Sequence, residues 1–146
     1  MTILCIDDEA IDVAAISRIL EREGFEVLSG NSYDEALQIF AKKSADIGLA
    51  LLDVSLPGKT GIELAHTLLR IKPNLKILFV SGYVGAEVIR MHGMSLRDRH
   101  FLRKPFQADE LVSRVLESLK SSEPLSWAKS PKAADAEEES DDGKLS

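Results

Sequence analysis

Four places in this chain carry side chains suited to phosphate and metal chemistry, and each lies at or just past the end of a short apolar run. Asp7, Asp8 and Glu9 follow Ile3–Ile6, and Asp53 follows the run from Ile47 to Leu52. Ser81 and Gly82 follow Ile77–Val80, and Lys104 and Pro105 come soon after Phe101 and Leu102. If these runs are strands of one open α/β sheet, the residues beyond their carboxyl ends converge on a single rim, where such sheets bind ligands. Three carboxylates there (Asp7, Asp8 and Asp53) repel one another, which raises their proton affinity or favours a bound cation. An all-oxygen ligand set with open positions suits Mg²⁺, which keeps waters and takes phosphate oxygens. A lysine and a hydroxyl opposite supply partners for the remaining phosphoryl oxygens, and phosphoryl transfer needs little more than an in-line nucleophile, a metal and a cation. Asp53, alone at the end of the central run, is the natural nucleophile.

Each piece alone has a plainer reading. An Asp-Asp-Glu turn ahead of a helix serves N-capping and the helix dipole. Asp53 suits a turn ahead of Pro57-Gly58, and Ser81-Gly82 is an ordinary loop start. The chemical reading rests on all of them falling at the right strand ends.

The elements that must position these residues follow from two alternating periods. The runs at Ile3, Ile47 and Ile77 are almost continuously apolar, as central strands of a parallel sheet covered on both faces are. Those at Glu26–Leu28 and at Phe101 are shorter and more mixed, as edge strands are. Between them lie helical patterns. Ile11, Ala14, Ala15, Ile16, Ile19 and Leu20 form a stripe, with Gly24 placed as a C-terminal cap. Ser32 to Glu35 reads as a capping box opening a helix through Ala36, Leu37, Ile39 and Phe40. Ile62, Leu64, Ala65, Leu68 and Leu69 mark a third helix closed by Pro73, and Val88, Ile89 and Met91 a short fourth. Leu111, Val112, Val115, Leu116 and Leu119 mark a fifth, while Gln107 ahead of it is a poorer N-cap than Ser or Thr. Five β-α units in a row predict a doubly wound, five-stranded parallel sheet of flavodoxin-like type, with right-handed crossovers.

The chain has 146 residues, 45% hydrophobic and 29% charged, with net charge -6. That is one domain's length. Residues 1–120 hold 17 acids and 15 bases, and residues 121–146 hold 7 acids and 3 bases. The expected division is a domain over 1–120 and an acidic, disordered tail over 121–146, with Trp127 its one large apolar residue. Neither part offers the basic face that nucleic acid needs. No apolar run approaches the roughly 18–20 residues of a membrane span. The start of the chain lacks a basic region ahead of its apolar residues, so the cytoplasm is the default location. Cys5, the single cysteine, lies in an apolar run and reads as a small buried hydrophobe.

At these residues the chain resembles the receiver domains of two-component response regulators, over residues 2 to about 119. Asp7-Asp8-Glu9 resembles the family's acidic pair, which implies that Asp8 ligates the metal directly and Asp7 acts through water. Asp53 to Gly61 fits the family's Asp-x-x-x-Pro-x-x-x-Gly, with Asp53 as phosphoacceptor and metal ligand and Ser55 giving the metal its backbone carbonyl. Ser81 matches the hydroxyl residue that turns toward the phosphoryl group, and Gly82 the small residue that leaves it room. Lys104-Pro105-Phe106 resembles the family's Lys-Pro-Phe, with a cis bond before proline, and Phe101 matches its aromatic switch position. Ser81-Gly82-Tyr83 together with Phe101 to Phe106 is similar to the receivers of hybrid histidine kinases. The stretch Gly93 to His100, with Arg97, Asp98 and Arg99, departs from the family pattern. Phe101 lacks a tyrosine's hydroxyl, so a switch there would be read by packing.

The resemblance implies a phosphoacceptor signalling domain, not a classical enzyme. A histidine kinase or histidine phosphotransfer protein would supply the phosphoryl group to Asp53. Lys104 and Ser81 would hold it, and the face of the fourth helix, fifth strand and fifth helix would switch toward an unidentified protein target. Ser55 and Tyr83 flank the site as positions that tune the phosphoryl lifetime. The expected assembly is a monomer or a phosphorylation-linked dimer, with no direct contact to nucleic acid or membrane. No effector domain follows, so the expectation is a single-domain regulator or phosphate shuttle, or a piece of a hybrid kinase, with Met1 just before the first strand favouring the former. Three other readings compete. An aspartyl phosphatase of the haloacid-dehalogenase type wants a second acid where Ser55 stands. A flavodoxin-like carrier wants a Ser/Thr/Gly-rich phosphate loop where Asp7-Asp8-Glu9 stand. A degenerate receiver would dock partners without phosphorylation. A phosphocarrier role for His66, His92 or His100 ranks below all of these.

Overall fold

The computed structural model describes residues 1–82 and 100–121. Five strands form one parallel sheet: β1 (Thr2–Ile6), β2 (Glu26–Gly30), β3 (Ile47–Asp53), β4 (Lys76–Ser81) and β5 (Phe101–Arg103), in the order β2-β1-β3-β4-β5. The two mixed runs are the edge strands, and the three continuously apolar ones are central, flanked by a strand on each side and buried along almost their whole length, whereas β2 is only partly buried. Four helices are described: α1 (Ala10–Arg22), α2 (Tyr33–Lys43), α3 (Gly61–Ile71) and α4 (Ala108–Lys120), the last being the fifth helical pattern of the sequence. The pattern at Val88, Ile89 and Met91, the departure at residues 93–99, Tyr83 and the segment 122–146 lie outside the described residues.

The two-residue period of the strands sorts the core into two layers. Ile3, Cys5, Leu49, Leu51, Leu78, Val80 and Leu102 pack with Ile16 and Leu20 of α1 and Leu111 and Val115 of α4. Leu4, Ile6, Ala50, Leu52, Ile77 and Phe79 pack with Ala36 and Phe40 of α2 and Leu64, Ala65 and Leu68 of α3 on the other face. Cys5 is fully buried, and burial, followed by the charge of Asp7, pushes its thiol up to about 12, so it is an inert core residue.

Helix ends follow local chemistry. Gly24 takes φ +93 and, with Phe25, closes α1: the Phe25 amide donates to Leu20 O at 3.2 Å and the Gly24 amide to Glu21 O at 3.0 Å. At α2 the expected box is half formed. Ser32 Oγ accepts from the Glu35 amide at 3.1 Å, but the Glu35 carboxylate reaches one residue further back, to the Asn31 amide at 2.7 Å. Gln107 is helped by Glu110, which accepts from its amide at 3.1 Å.

Two stripe assignments need correction. Ile11 is 84% exposed, while Ile16 and Leu20 face the core. At 3.6 residues per turn Ile11 lies about 140° around the helix from Ile16, whereas Asp12 lies about 40° from it. On α4, Leu116 is exposed and Ser118 buried, so that stripe too is turned from the one expected.

Candidate functional site

Strand register brings the acids together. Ile6 pairs with Leu52, so Asp7 and Asp53 are the next residues along on adjacent strands. Asp53 pairs with Val80, and Ser81 with Arg103, so Lys104 begins one step beyond β5. Parity does the rest. Asp7, Asp53 and Lys104 continue the alternation of Cys5, Leu51 and Leu102, which all belong to the α1/α4 layer.

On that side Lys104 Nζ lies 2.9 Å from Asp7 Oδ2, 3.2 Å from Asp53 Oδ2 and 2.8 Å from Asp12 Oδ2. Asp7 and Asp53 are almost wholly buried, at 2% and 5% exposure. Asp7 Oδ1 accepts from the Glu9 amide at 3.0 Å and Asp53 Oδ1 from the Ser55 amide at 2.9 Å, which fixes both carboxylates in their turns. Glu9 stands at the N-cap of α1, and its side chain makes no capping hydrogen bond.

The electrostatics are strained. Burial raises the Asp53 carboxyl to about 6; the Ser55 amide opposes the rise, and the charge of Asp7 adds to it. For Lys104, burial acts to lower the pKa, but the hydrogen bonds it donates to Asp12 and Asp7 outweigh it and hold the ammonium above its ordinary value. The Glu9 carboxyl is raised through its hydrogen bond with Asp12. One lysine thus faces several carboxylates and cannot neutralise them all.

Asp7, Asp8 and Asp53 each offer an oxygen within 4.8 Å of the others, with Asp8 exposed at the rim. This set can hold a metal ion. It is built of hard oxygens, it has an open side, and its excess negative charge calls for a divalent cation such as Mg²⁺.

The loop beyond Asp53 is pinned at several points. Thr60 and Glu63 form a reciprocal capping box at α3, with hydrogen bonds of 3.2 and 2.8 Å. The Gly61 amide donates to Val54 O at 2.9 Å, and Lys59 Nζ sits 4.5 Å from the Tyr33 ring centroid, whose hydroxyl is 2.7 Å from Thr67 Oγ1.

The remaining candidates are placed as follows. Ser81 is fully buried, and its hydroxyl donates to Gly82 O at 3.1 Å. Its parity is that of Phe79, on the α2/α3 side, which is why it stands next to Asp53 in the sheet without touching its carboxylate. A Cβ on Gly82 would meet no described atom within 4 Å. Phe101 is half-buried against the α2/α3 core layer, and its carbonyl accepts from Arg114 of α4. The Lys104–Pro105 bond is cis, as the resemblance implied. Ser55 is exposed, and His66 is a half-buried residue of α3. Among the described residues, Asp12 is the site contact that the sequence reading missed. The available signal was its place on the inward stripe with Ile16 and Leu20.

A doubly wound parallel sheet with buried carboxylates beyond two central strands and a lysine beyond its edge strand β5 defines a class of α/β domains with an acidic, lysine-bearing rim. Within that class, the chain belongs to the response regulator receiver domain family, which it matches over residues 3–116. It is 31% identical over 115 residues to the cell cycle response regulator CtrA of Brucella ovis, covering 79% of this chain and 48% of that one. The chain thus spans about half the length of the curated relatives it matches. Among solved structures it is similar to a response regulator receiver protein from Sinorhizobium medicae, with TM-score 0.72 and 30% identity, covering 84% of this chain and 97% of that one. It is also similar to the receiver domain of the hybrid histidine kinase CckA, with TM-score 0.67 and 27% identity, covering 82% and 100%. Among the described residues no helix is long and apolar enough to cross a membrane.

Proposed function

We propose that this receiver takes a phosphoryl group onto Asp53 from a phosphohistidine of a histidine kinase or histidine phosphotransfer protein. In the step, the donor's P–N bond breaks, its electron pair stays with the imidazole, and a P–O bond forms to a carboxylate oxygen of Asp53. Asp8 and Asp53, with the Ser55 carbonyl and Asp7 through water, would hold Mg²⁺. When bound, the ion supplies charge neutralisation for the phosphoryl oxygens and relieves the repulsion among the acids. Lys104 keeps its contact with Asp7 and gives the donor that now faces Asp53 to a phosphoryl oxygen. The hydroxyl of Ser81 leaves the Gly82 carbonyl for the same group, the loop after β4 is drawn inward, and Phe101 repacks into the space. That repacking carries the signal to a protein partner. Gly82 and Pro105 border the reacting group, Tyr83 follows Gly82 in the sequence as a position that tunes the phosphoryl lifetime, and residues 1–120 act as the receiver unit.

The observation that carries this reading is the convergence of the Lys104 ammonium on two buried carboxylates from neighbouring strands, Asp7 and Asp53. A purely structural ion pair does not require a second buried acid and an exposed third one beside it. The test is the intact mass after incubation with acetyl phosphate. A gain of one phosphoryl group that needs Mg²⁺ and vanishes in Asp53→Asn supports the reading. No gain under conditions that label another receiver would favour a docking module that works without phosphorylation.

A further inference from the structure

Asp12 occupies a position where the pattern of α1 calls for an apolar residue. Ile16 and Leu20, one and two turns further along, are buried in the core. A residue four positions before Ile16 shares that face. The carboxylate found there is 30% exposed and sits 2.8 Å from Lys104 Nζ, the shortest of the lysine's three acidic contacts. An ammonium has three N–H donors. Here Asp12 and Asp7 take two of them at 2.8 and 2.9 Å, and Asp53 takes the third at 3.2 Å.

We propose that Asp12 is a positioning residue: together with Asp7 it holds two of the Lys104 donors away from Asp53, so that the third is aimed in advance at the place a phosphoryl oxygen will occupy. This rests on the reading of Asp53 as phosphoacceptor. The longest contact is the one phosphorylation replaces, so the two shorter ones persist through the reaction. A lysine on a flexible four-carbon stem does not hold such a direction unaided. Asp7 alone leaves the ammonium free to swing about one contact, whereas a second carboxylate, from a helix and not a strand, fixes it. Pre-set donors of this kind act on the developing charge without having to reorganise.

The experiment is the rate of labelling by acetyl phosphate at saturating Mg²⁺, in which the P–O bond to acetate breaks and acetate leaves with the electron pair. Asp12→Ala is expected to slow labelling by roughly tenfold, in line with couplings between contacting residues. Asp12→Leu, which continues the apolar stripe and so preserves folding, slows it equally. Asp12→Asn, whose amide oxygen still accepts from Lys104, recovers most of the rate. In a Lys104→Ala background, Asp12→Ala changes the rate by less than about twofold, because there is no ammonium left to position. Equal slowing in both backgrounds would mean that Asp12 acts through stability or charge alone and would overturn the proposal. So would an unchanged rate in the single variants. If the wild-type protein itself gains no phosphoryl group, the reading of Asp53 fails, and this inference fails with it.

Discussion

A Cβ placed on Gly61 would lie 2.2 Å from the carbonyl oxygen of Asp53 and 3.0 Å from Val54 Cα. The first residue of α3 is thus pressed directly against the strand end that bears the reactive acid. No side chain fits there unless the loop from Val54 to Thr60 moves. Gly61→Ala is expected to destabilise the domain by about 1–3 kcal/mol, the usual cost of overpacking, and to slow labelling of Asp53 because its backbone shifts. Denaturant unfolding and the labelling rate check the two parts. A variant as stable and as fast as wild type would show that the contact relaxes freely.

Asp53 gives the metal-free protein a definite pH signature. Its carboxyl is raised from 3.8 to about 6 by burial first and by Asp7 further. The folded state therefore binds the proton more tightly than the unfolded chain does. The stability this group contributes is complete below about pH 4 and is lost as pH rises through about 6. In Asp53→Asn this loss is absent, and Lys104 keeps Asp7 and Asp12 as partners. With chelator present, the variant should therefore melt above the wild type at neutral pH, with the gap closing as pH falls toward 4. Parallel melting curves across that range would contradict the strained carboxylate.

Mg²⁺ should stabilise the protein by relieving the same repulsion. At a hundredfold excess over Kd, binding to the folded state alone contributes about 2.7 kcal/mol, a rise of order 10 °C in Tm for a domain of this size. Asp8→Ala removes the exposed ligand without disturbing the core and should abolish the rise. Thermal melts of both proteins with and without Mg²⁺ check this, and an equal rise in Asp8→Ala would move the ion elsewhere.

Much of this was legible in the sequence, because the central strands are apolar throughout and the acids stand just beyond them. That pattern was enough to place Asp7, Asp8, Asp53 and Lys104 on one rim and to name β2 and β5 as edges. Asp12 was not legible. The apolar pattern of α1 begins at Ile11, whereas packing turns the helix so that Ile11 faces out and Asp12 faces in. Short helices with apolar residues on both sides leave that phase open until tertiary contacts fix it. The orientation of Ser81 was also hidden. Its parity puts the side chain on the α2/α3 face, and only the register of β4 on β3 makes that visible.

The central claim is that Asp53 carries the phosphoryl group. Its most direct test is chemical. After incubation with acetyl phosphate and Mg²⁺, the protein is treated with borohydride, which reduces an aspartyl phosphate to homoserine, and is then mapped by peptide mass spectrometry. The account predicts homoserine at position 53, only when Mg²⁺ was present, and aspartate at positions 7, 8 and 12. Homoserine at one of those acids, or a stable phosphoryl group on a histidine with Asp53 unchanged, would contradict it.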